Sequence, residues 1–221
     1  MSARVERIEG PHQGQPLIVA GVSIGKASAG AVMVHGRGAS AEDILTLVPV
    51  LGQPNFHYLA PQAAGSSWYP NSFLAPMSQN EPGLSSGLQA IADALARLER
   101  DGLTAERTLL LGFSQGACLI SEYAYRNPRR YGGIAALSGA VITPDADTRT
   151  APNVRQELAG TPVFLGCSDF DLHVPKERVE QTARVFRALG GKVEMRLYPN
   201  LPHTVIEDEL KAVREMMSLI K

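Results

Sequence analysis

Short apolar runs alternate with segments of helical period along most of the chain. Leu17–Val22, Ala31–His35, Phe56–Ala60, Thr108–Gly112, Gly133–Ser138, Pro162–Cys167 and Val193–Tyr198 read as strands. Between them, Ser40–Leu51, Leu84–Arg100, Ser114–Arg126, Lys176–Leu189 and Val205–Ile220 read as helices. Leu84, Leu88, Ile91, Leu95 and Leu98 recur at spacings of three and four, which gives that segment one apolar stripe. Ser40 followed three residues later by Asp43 has the form of a helix N-cap. Strand and helix in alternation predict an α/β fold with a mainly parallel central sheet flanked by helices.

Two stretches break this rhythm. Ala64 to Gly83 holds Gly, Ser, Asn and Pro together with Trp68, Tyr69, Phe73, Leu74 and Met77, and is expected to be a long ordered loop. Long loops inside compact domains are usually functional. Ile142 to Gly160 is a second, polar loop with Pro144 and Pro152. It is too short to form a helical lid, so an open site without a cap is expected.

Composition narrows the class. The 221 residues fit a single domain, 1–221, and 44% apolar content is ample for a buried sheet. A formal charge of −1 and the lack of a Lys/Arg run argue against a nucleic-acid partner. Runs such as Gly30–Val34 and Leu109–Leu111 are far shorter than a membrane span, so no integral membrane association is expected. Met1–Arg7 has no signal-peptide core, which leaves the cytoplasm as the default. Cys118 and Cys167 make no disulfide framework, and no Cys/His spacing suits zinc; neither a metal nor a cofactor is expected. Monomer and homodimer are both left open.

The most informative residues are Gly112-Phe113-Ser114-Gln115-Gly116, which lie between a predicted strand and a predicted helix. In that context G-x-S-x-G is a nucleophile elbow, a serine on a tight turn with its hydroxyl exposed. The glycines let strand and helix approach closely, and the helix N-terminus directs unpaired N–H groups at a developing oxyanion.

A serine hydroxyl needs a base, and the base needs an orienting carboxylate. Of five histidines only His173 and His203 follow the serine. His203, in the loop between the last strand and the last helix, is the candidate base; His173 reads as a rim or structural residue. The acid should follow the strand Pro162–Cys167, where Ser168-Asp169-Phe170-Asp171 offers two aspartates. The position three residues before Val-Pro favours Asp171, with Asp169 as the alternative or as a brace for the turn. Asp145 and Asp147 come too early and read as solvated loop charges. Two oxyanion donors are expected, the backbone N–H of Gln115 and, from the loop His35-Gly36-Arg37-Gly38, that of Arg37. The alternative is that these glycines only make a turn and that His35 is a core residue bonding backbone. Cys118, one helical turn beyond Ser114, reads as a buried small hydrophobe rather than a second nucleophile.

These motifs together resemble the phospholipase/carboxylesterase family of α/β-hydrolases, which includes acyl-protein thioesterases and small bacterial carboxylesterases. The resemblance runs from about Ala29 to the C-terminus and rests on Val34-His35-Gly36-Arg37-Gly38, the elbow, Asp171-Leu172-His173-Val174-Pro175 and Leu201-Pro202-His203. It implies an α/β-hydrolase fold without a cap, a Ser114–His203–Asp171 triad, and cofactor-free hydrolysis of small esters or thioesters of short-to-medium acyl chains. Cys167-Ser168 stands where family members often carry His-Gly, which changes the lining near the acid. Trp68-Tyr69-Pro70 resembles a feature of some bacterial members and would place both rings at the acyl site as substrate-binding residues, with core packing as the alternative. Two other functions stay open: a peptidase or C–C hydrolase using the same residues, and a non-catalytic binding protein on this fold.

Overall fold

The computed structural model describes residues 9–143 and 157–221. The predicted polar loop is therefore seen only at its two ends, and Asp145, Asp147 and Met1–Arg7 lie outside the described residues. Seven strands form one sheet: β1 (Leu17–Gly21), β2 (Ala29–Val34), β3 (Phe56–Pro61), β4 (Thr108–Phe113), β5 (Gly133–Leu137), β6 (Pro162–Ser168) and β7 (Lys192–Tyr198). Their spatial order is β1-β3-β2-β4-β5-β6-β7. β1 runs antiparallel to β3 at one edge, and every other pairing is parallel. Each observed strand matches its predicted run to within two residues at either end.

The reason these runs were readable lies in their burial. All residues of β2, β3 and β5 are buried. A parallel strand covered on both faces has no polar side and shows in sequence as a continuous apolar stretch. Side chains alternate between the two faces. Val32 and Val34 enter a core layer with the helices α3 (Gly83–Arg100), α4 (Gln115–Arg126) and α5 (Lys176–Ala188). Ala31 and Met33 enter the opposite layer, with α1 (Ala41–Leu45), α2 (Leu47–Leu51) and α6 (Glu207–Ser218).

The helix predicted over Ser40–Leu51 is two short helices. Ser40 Oγ accepts the Asp43 N–H and Asp43 Oδ2 accepts the Ser40 N–H, so α1 begins in a capping box. At Thr46 the N–H turns back to Asp43 and Ile44 carbonyls. Three residues later Pro49, inside α2, has no N–H to return to the Leu45 carbonyl, so the bond that would carry the ladder across Thr46 is absent.

Parallel pairing brings several strand ends to one edge. Val34 lies beside Gly112, Phe113 beside Leu137, Leu137 beside Gly166, and Ser168 beside Tyr198. The loops after β2, β4, β6 and β7 therefore emerge together, and these are the loops that carry His35–Gly38, Ser114, Asp171 and His203.

Candidate active site

The turn from β4 into α4 is sterically forced. Ser114 holds φ +55° and ψ −120°, a region non-glycine residues rarely occupy and which costs about 1–3 kcal/mol. A Cβ at Gly112 would sit 2.5 Å from the Gly116 carbonyl carbon, and one at Gly116 would collide with Val34 O. Only glycine lets the elbow close onto the end of β2. The Ser114 N–H donates to Leu137 O at 2.9 Å, which pins the turn to β5.

The loop after β7 brings His203 over the elbow. His203 Nε2 lies 2.8 Å from Ser114 Oγ, and its Nδ1 lies 2.6 Å from Asp171 Oδ2. With Nδ1–H donated to the carboxylate, Nε2 is the atom left to accept the serine hydroxyl. The Asp171 side chain is fully buried, and its Oδ1 accepts the backbone N–H groups of His173 at 2.8 Å and Val174 at 3.1 Å. Burial pushes this carboxyl up, but the His203 hydrogen bond and the two N–H donors outweigh it and hold it below the ordinary aspartate value. Asp169 is not part of this chain. It accepts the Asn200 N–H at 2.9 Å and donates its own N–H to Tyr198 O at 2.9 Å, so it braces the loop that carries His203.

The two residues expected to supply oxyanion donors adjoin Ser114 in different ways. Gln115 is the first residue of α4, where an N–H has no intrahelical acceptor. A Cβ on Gly36 would lie 3.3 Å from Ser114 Cβ, so the loop carrying Arg37 runs against the nucleophile. The Arg37 N–H has no acceptor among the described residues. His35 belongs to both readings offered for it. It is fully buried, with Nδ1 on Gly36 O at 2.8 Å and Nε2 accepting the Ala63 N–H at 3.1 Å, and it thereby fixes the loop it opens. Burial lowers its pKa, in keeping with a neutral ring that donates at one nitrogen and accepts at the other.

One wall of the site was not legible in sequence. The Gln115 side chain reaches across to the long loop, accepting the Trp68 N–H at 2.9 Å and donating to Tyr69 O at 2.8 Å. Arg37 donates to Ser67 Oγ, Pro70 O and Asn71 O, and its guanidinium lies 5.8 Å from the Tyr69 ring centre. His12, buried near the N-terminus, accepts the Ala64 N–H at Nδ1 and donates from Nε2 to Trp68 O. Fully buried Asn80 accepts the Asn71 N–H and donates to Ser72 O. The loop is ordered, as expected, and short 3-10 turns at Ala64–Ser66 and Met77–Asn80 interrupt it.

The paired role expected for Trp68 and Tyr69 is corrected. Trp68 is fully buried under the wall, its indole N–H donated to His35 O at 2.9 Å, and it does not line the cleft. Tyr69 does line it. A ring whose only polar atom is satisfied by the main chain of the loop after β2 packs as scaffold.

The cleft above Ser114 has a volume of about 410 Å³. Phe113 stacks at 5.0 Å on the His203 ring, and exposed His173 meets that ring edge-on at 4.8 Å. Cys118 lies on the cleft wall, but burial pushes its thiol up to about 11, so it is protonated and inert at neutral pH. Cys167 contacts Asp171 Oδ2 at 3.8 Å, and burial, followed by the aspartate charge, pushes it up to about 12. Among the described residues no group of His, Cys, Asp and Glu is arranged to hold a metal ion, and no helix is long and apolar enough to cross a membrane. A separate cavity of about 480 Å³ between the 9–17 segment and α3 contains none of these reactive groups.

The phospholipase/carboxylesterase family pattern matches residues 18–221. Acyl-protein thioesterase 1 of Saccharomyces cerevisiae is 28% identical over 148 residues, 63% of this chain and 60% of that protein. Acyl-protein thioesterase 1 of Gibberella zeae is 29% identical over 118 residues, 52% of this chain and 49% of that one. The matches thus span about half to three-fifths of these two relatives' own length. The crystal structure of a phospholipase/carboxylesterase from Dyadobacter fermentans superposes with a TM-score of 0.88 at 37% identity, covering 98% of this chain and all of that one. The chain is a member of the phospholipase/carboxylesterase family of α/β-hydrolases.

Proposed function

We propose that the protein is a serine hydrolase that cleaves small carboxylic esters or thioesters through an acyl-enzyme. The observation that supports this most directly is the unbroken chain of short hydrogen bonds from Asp171 Oδ2 to His203 Nδ1 and from His203 Nε2 to Ser114 Oγ. The acyl-protein thioesterase relatives point to the same class of bond.

In the first half-reaction Ser114 Oγ attacks the acyl carbon while His203 Nε2 takes its proton. The negative oxygen of the tetrahedral intermediate accepts the backbone N–H groups of Gln115 and Arg37, each worth about 3 kcal/mol by analogy with other oxyanion donors. Collapse expels the alcohol or thiol, which leaves with the proton held on Nε2. In the second half, water gives a proton to Nε2 and attacks the acyl-serine, and collapse returns the proton to Ser114 Oγ as the acid departs. The net change is ester plus water to acid plus alcohol or thiol. Ionised Asp171 holds the Nδ1–H tautomer and stabilises the imidazolium that forms in each half.

Ser114→Ala is expected to abolish turnover of 4-nitrophenyl acetate and butyrate. Activity within tenfold of the parent overturns the proposal. A fluorophosphonate probe should label Ser114, which a non-catalytic binding protein would not allow. Steady-state rates on an ester, a thioester and an amide of the same acyl group separate esterase from peptidase.

A further inference from the structure

The side chain of Arg37 is unusual for a charged group at a reactive site, because it is held in place without a carboxylate partner. Its three hydrogen bonds go to a serine hydroxyl and two main-chain carbonyls, all neutral. None of the ion pairs among the described residues includes it. A guanidinium has five N–H donors. Two on Nη1 and one on Nη2 are taken, which leaves the Nε–H and one Nη2 N–H without acceptors among the described residues.

The surroundings sharpen this. Arg37 lines the cleft together with Ser114 and His203, and among the described residues no Asp or Glu is on the cleft wall. The one carboxylate of the reactive chain, Asp171, is buried behind His203 and committed to it. The described residues therefore give the cleft one fixed positive charge and no negative one. Bracing by neutral oxygens leaves that charge uncompensated, and it also fixes the fork before a ligand arrives, which lowers the entropy cost of using it. A planar fork with two free donors suits a carboxylate.

We propose that the cleft takes esters that carry a carboxylate on the acyl or the alcohol part, held by the free donors of Arg37. The idea rests on the serine-hydrolase reading and adds the charge of the substrate to it. Arg37 then has two roles, its main-chain N–H at the oxyanion and its side chain on the substrate.

The experiment compares kcat/KM within two matched pairs. 4-Nitrophenyl hydrogen succinate against 4-nitrophenyl pentanoate reads an acyl-side carboxylate; 3-butyryloxybenzoate against phenyl butyrate reads an alcohol-side one. The expected result is a preference for the anionic member of one pair of about tenfold at low salt, a size suited to a charge-assisted bond at an exposed site. It should shrink toward unity in 0.5 M NaCl as screening takes hold. Arg37→Met should erase the preference and Arg37→Lys should keep part of it. Because each ratio is taken on one variant, losses common to both substrates cancel. No preference in either pair while neutral esters are turned over overturns this proposal alone, as does a preference that survives Arg37→Met. No turnover of any ester together with no fluorophosphonate labelling overturns the serine-hydrolase reading instead.

Discussion

Gln115 and Trp68 meet across the site as main chain meets side chain: Gln115 Oε1 accepts the Trp68 N–H at 2.9 Å, and the same amide's Nε2 donates to Tyr69 O at 2.8 Å. The residue whose main-chain N–H is the expected oxyanion donor thus also fastens the opposite wall. A side chain that satisfies two buried main-chain groups is costly to lose, about 1–3 kcal/mol for each group left unpaired.

Gln115→Leu is therefore expected to lower stability by about 2–6 kcal/mol and to raise KM more than it lowers kcat, since the Gln115 N–H is retained. Gln115→Glu should behave similarly, because a carboxylate accepts from Trp68 N–H but cannot donate to Tyr69 O. Urea denaturation alongside steady-state kinetics checks both. An unchanged KM in a folded Gln115→Leu protein would mean that the wall does not contact substrate.

The two aspartates of the acid turn give a sharper contrast. Asp171→Asn removes the charge that faces His203 Nδ1 and lets the imidazole adopt the wrong tautomer, so kcat should fall by about 10²–10⁴. Asp169→Asn keeps an oxygen for the Asn200 N–H and should cost less than tenfold. The pH dependence has a definite sign. Because the native Asp171 carboxyl lies below its ordinary value, its contribution to stability is present above the normal carboxylate range and is lost as pH falls through the lowered native value. Asp171→Asn should therefore flatten the acid limb of the stability profile, and thermal melts between pH 3 and 6 would reveal it.

What the sequence yields and what it hides follow one physical division. The strands are legible because buried parallel strands are continuous apolar runs, and Ser114, Asp171 and His203 can be picked out because each follows a strand in a fixed chain order. The wall of the cleft is different. Its bonds join His12 to Trp68 across 56 residues and Gln115 to Trp68 across 47, through single polar atoms that leave no periodicity. Trp68 illustrates the limit: composition cannot tell a ring facing substrate from one beneath the loop, whereas its hydrogen bond to His35 O does. Within Ser40–Leu51 the apolar pattern continues through Pro49, and the break follows from a missing N–H rather than from hydropathy.

The elbow glycines offer a test of steric necessity. A methyl at Gly116 would overlap Val34 O, main chain against main chain, where no side chain can swing aside. Gly116→Ala is expected to cost more than about 3 kcal/mol or to prevent folding, which is the upper range for overpacking. Gly25→Ala is the control: nothing lies within 4 Å of the added atom, and its effect should stay within about 0.5 kcal/mol. Equal effects from the two substitutions in a denaturation series would contradict the close packing of α4 on β2.

Glu209 carries the last prediction. It is nearly fully buried at the start of α6, where its Oε2 accepts the Ile206 N–H at 3.0 Å, three residues beyond His203. Its other oxygen packs where a Cβ on Gly166 would stand, so the carboxyl ties the His203 loop to β6. Burial pushes it up to about 7, opposed by the Ile206 N–H and assisted by Asp208. A carboxyl raised in the native state contributes stability that is full below its unfolded value and is lost as pH rises through the native one. The parent should thus lose stability between about pH 4.5 and 7, by at most about 3.5 kcal/mol at about 1.4 kcal/mol for each tenfold step. Glu209→Gln keeps an acceptor for the Ile206 N–H and never ionises. It should be more stable than the parent at pH 8 and no more stable at pH 4.5, as urea midpoints at the two pH values would measure. A variant less stable at pH 8 would mean that the ionised carboxylate, and not merely an acceptor, holds the His203 loop.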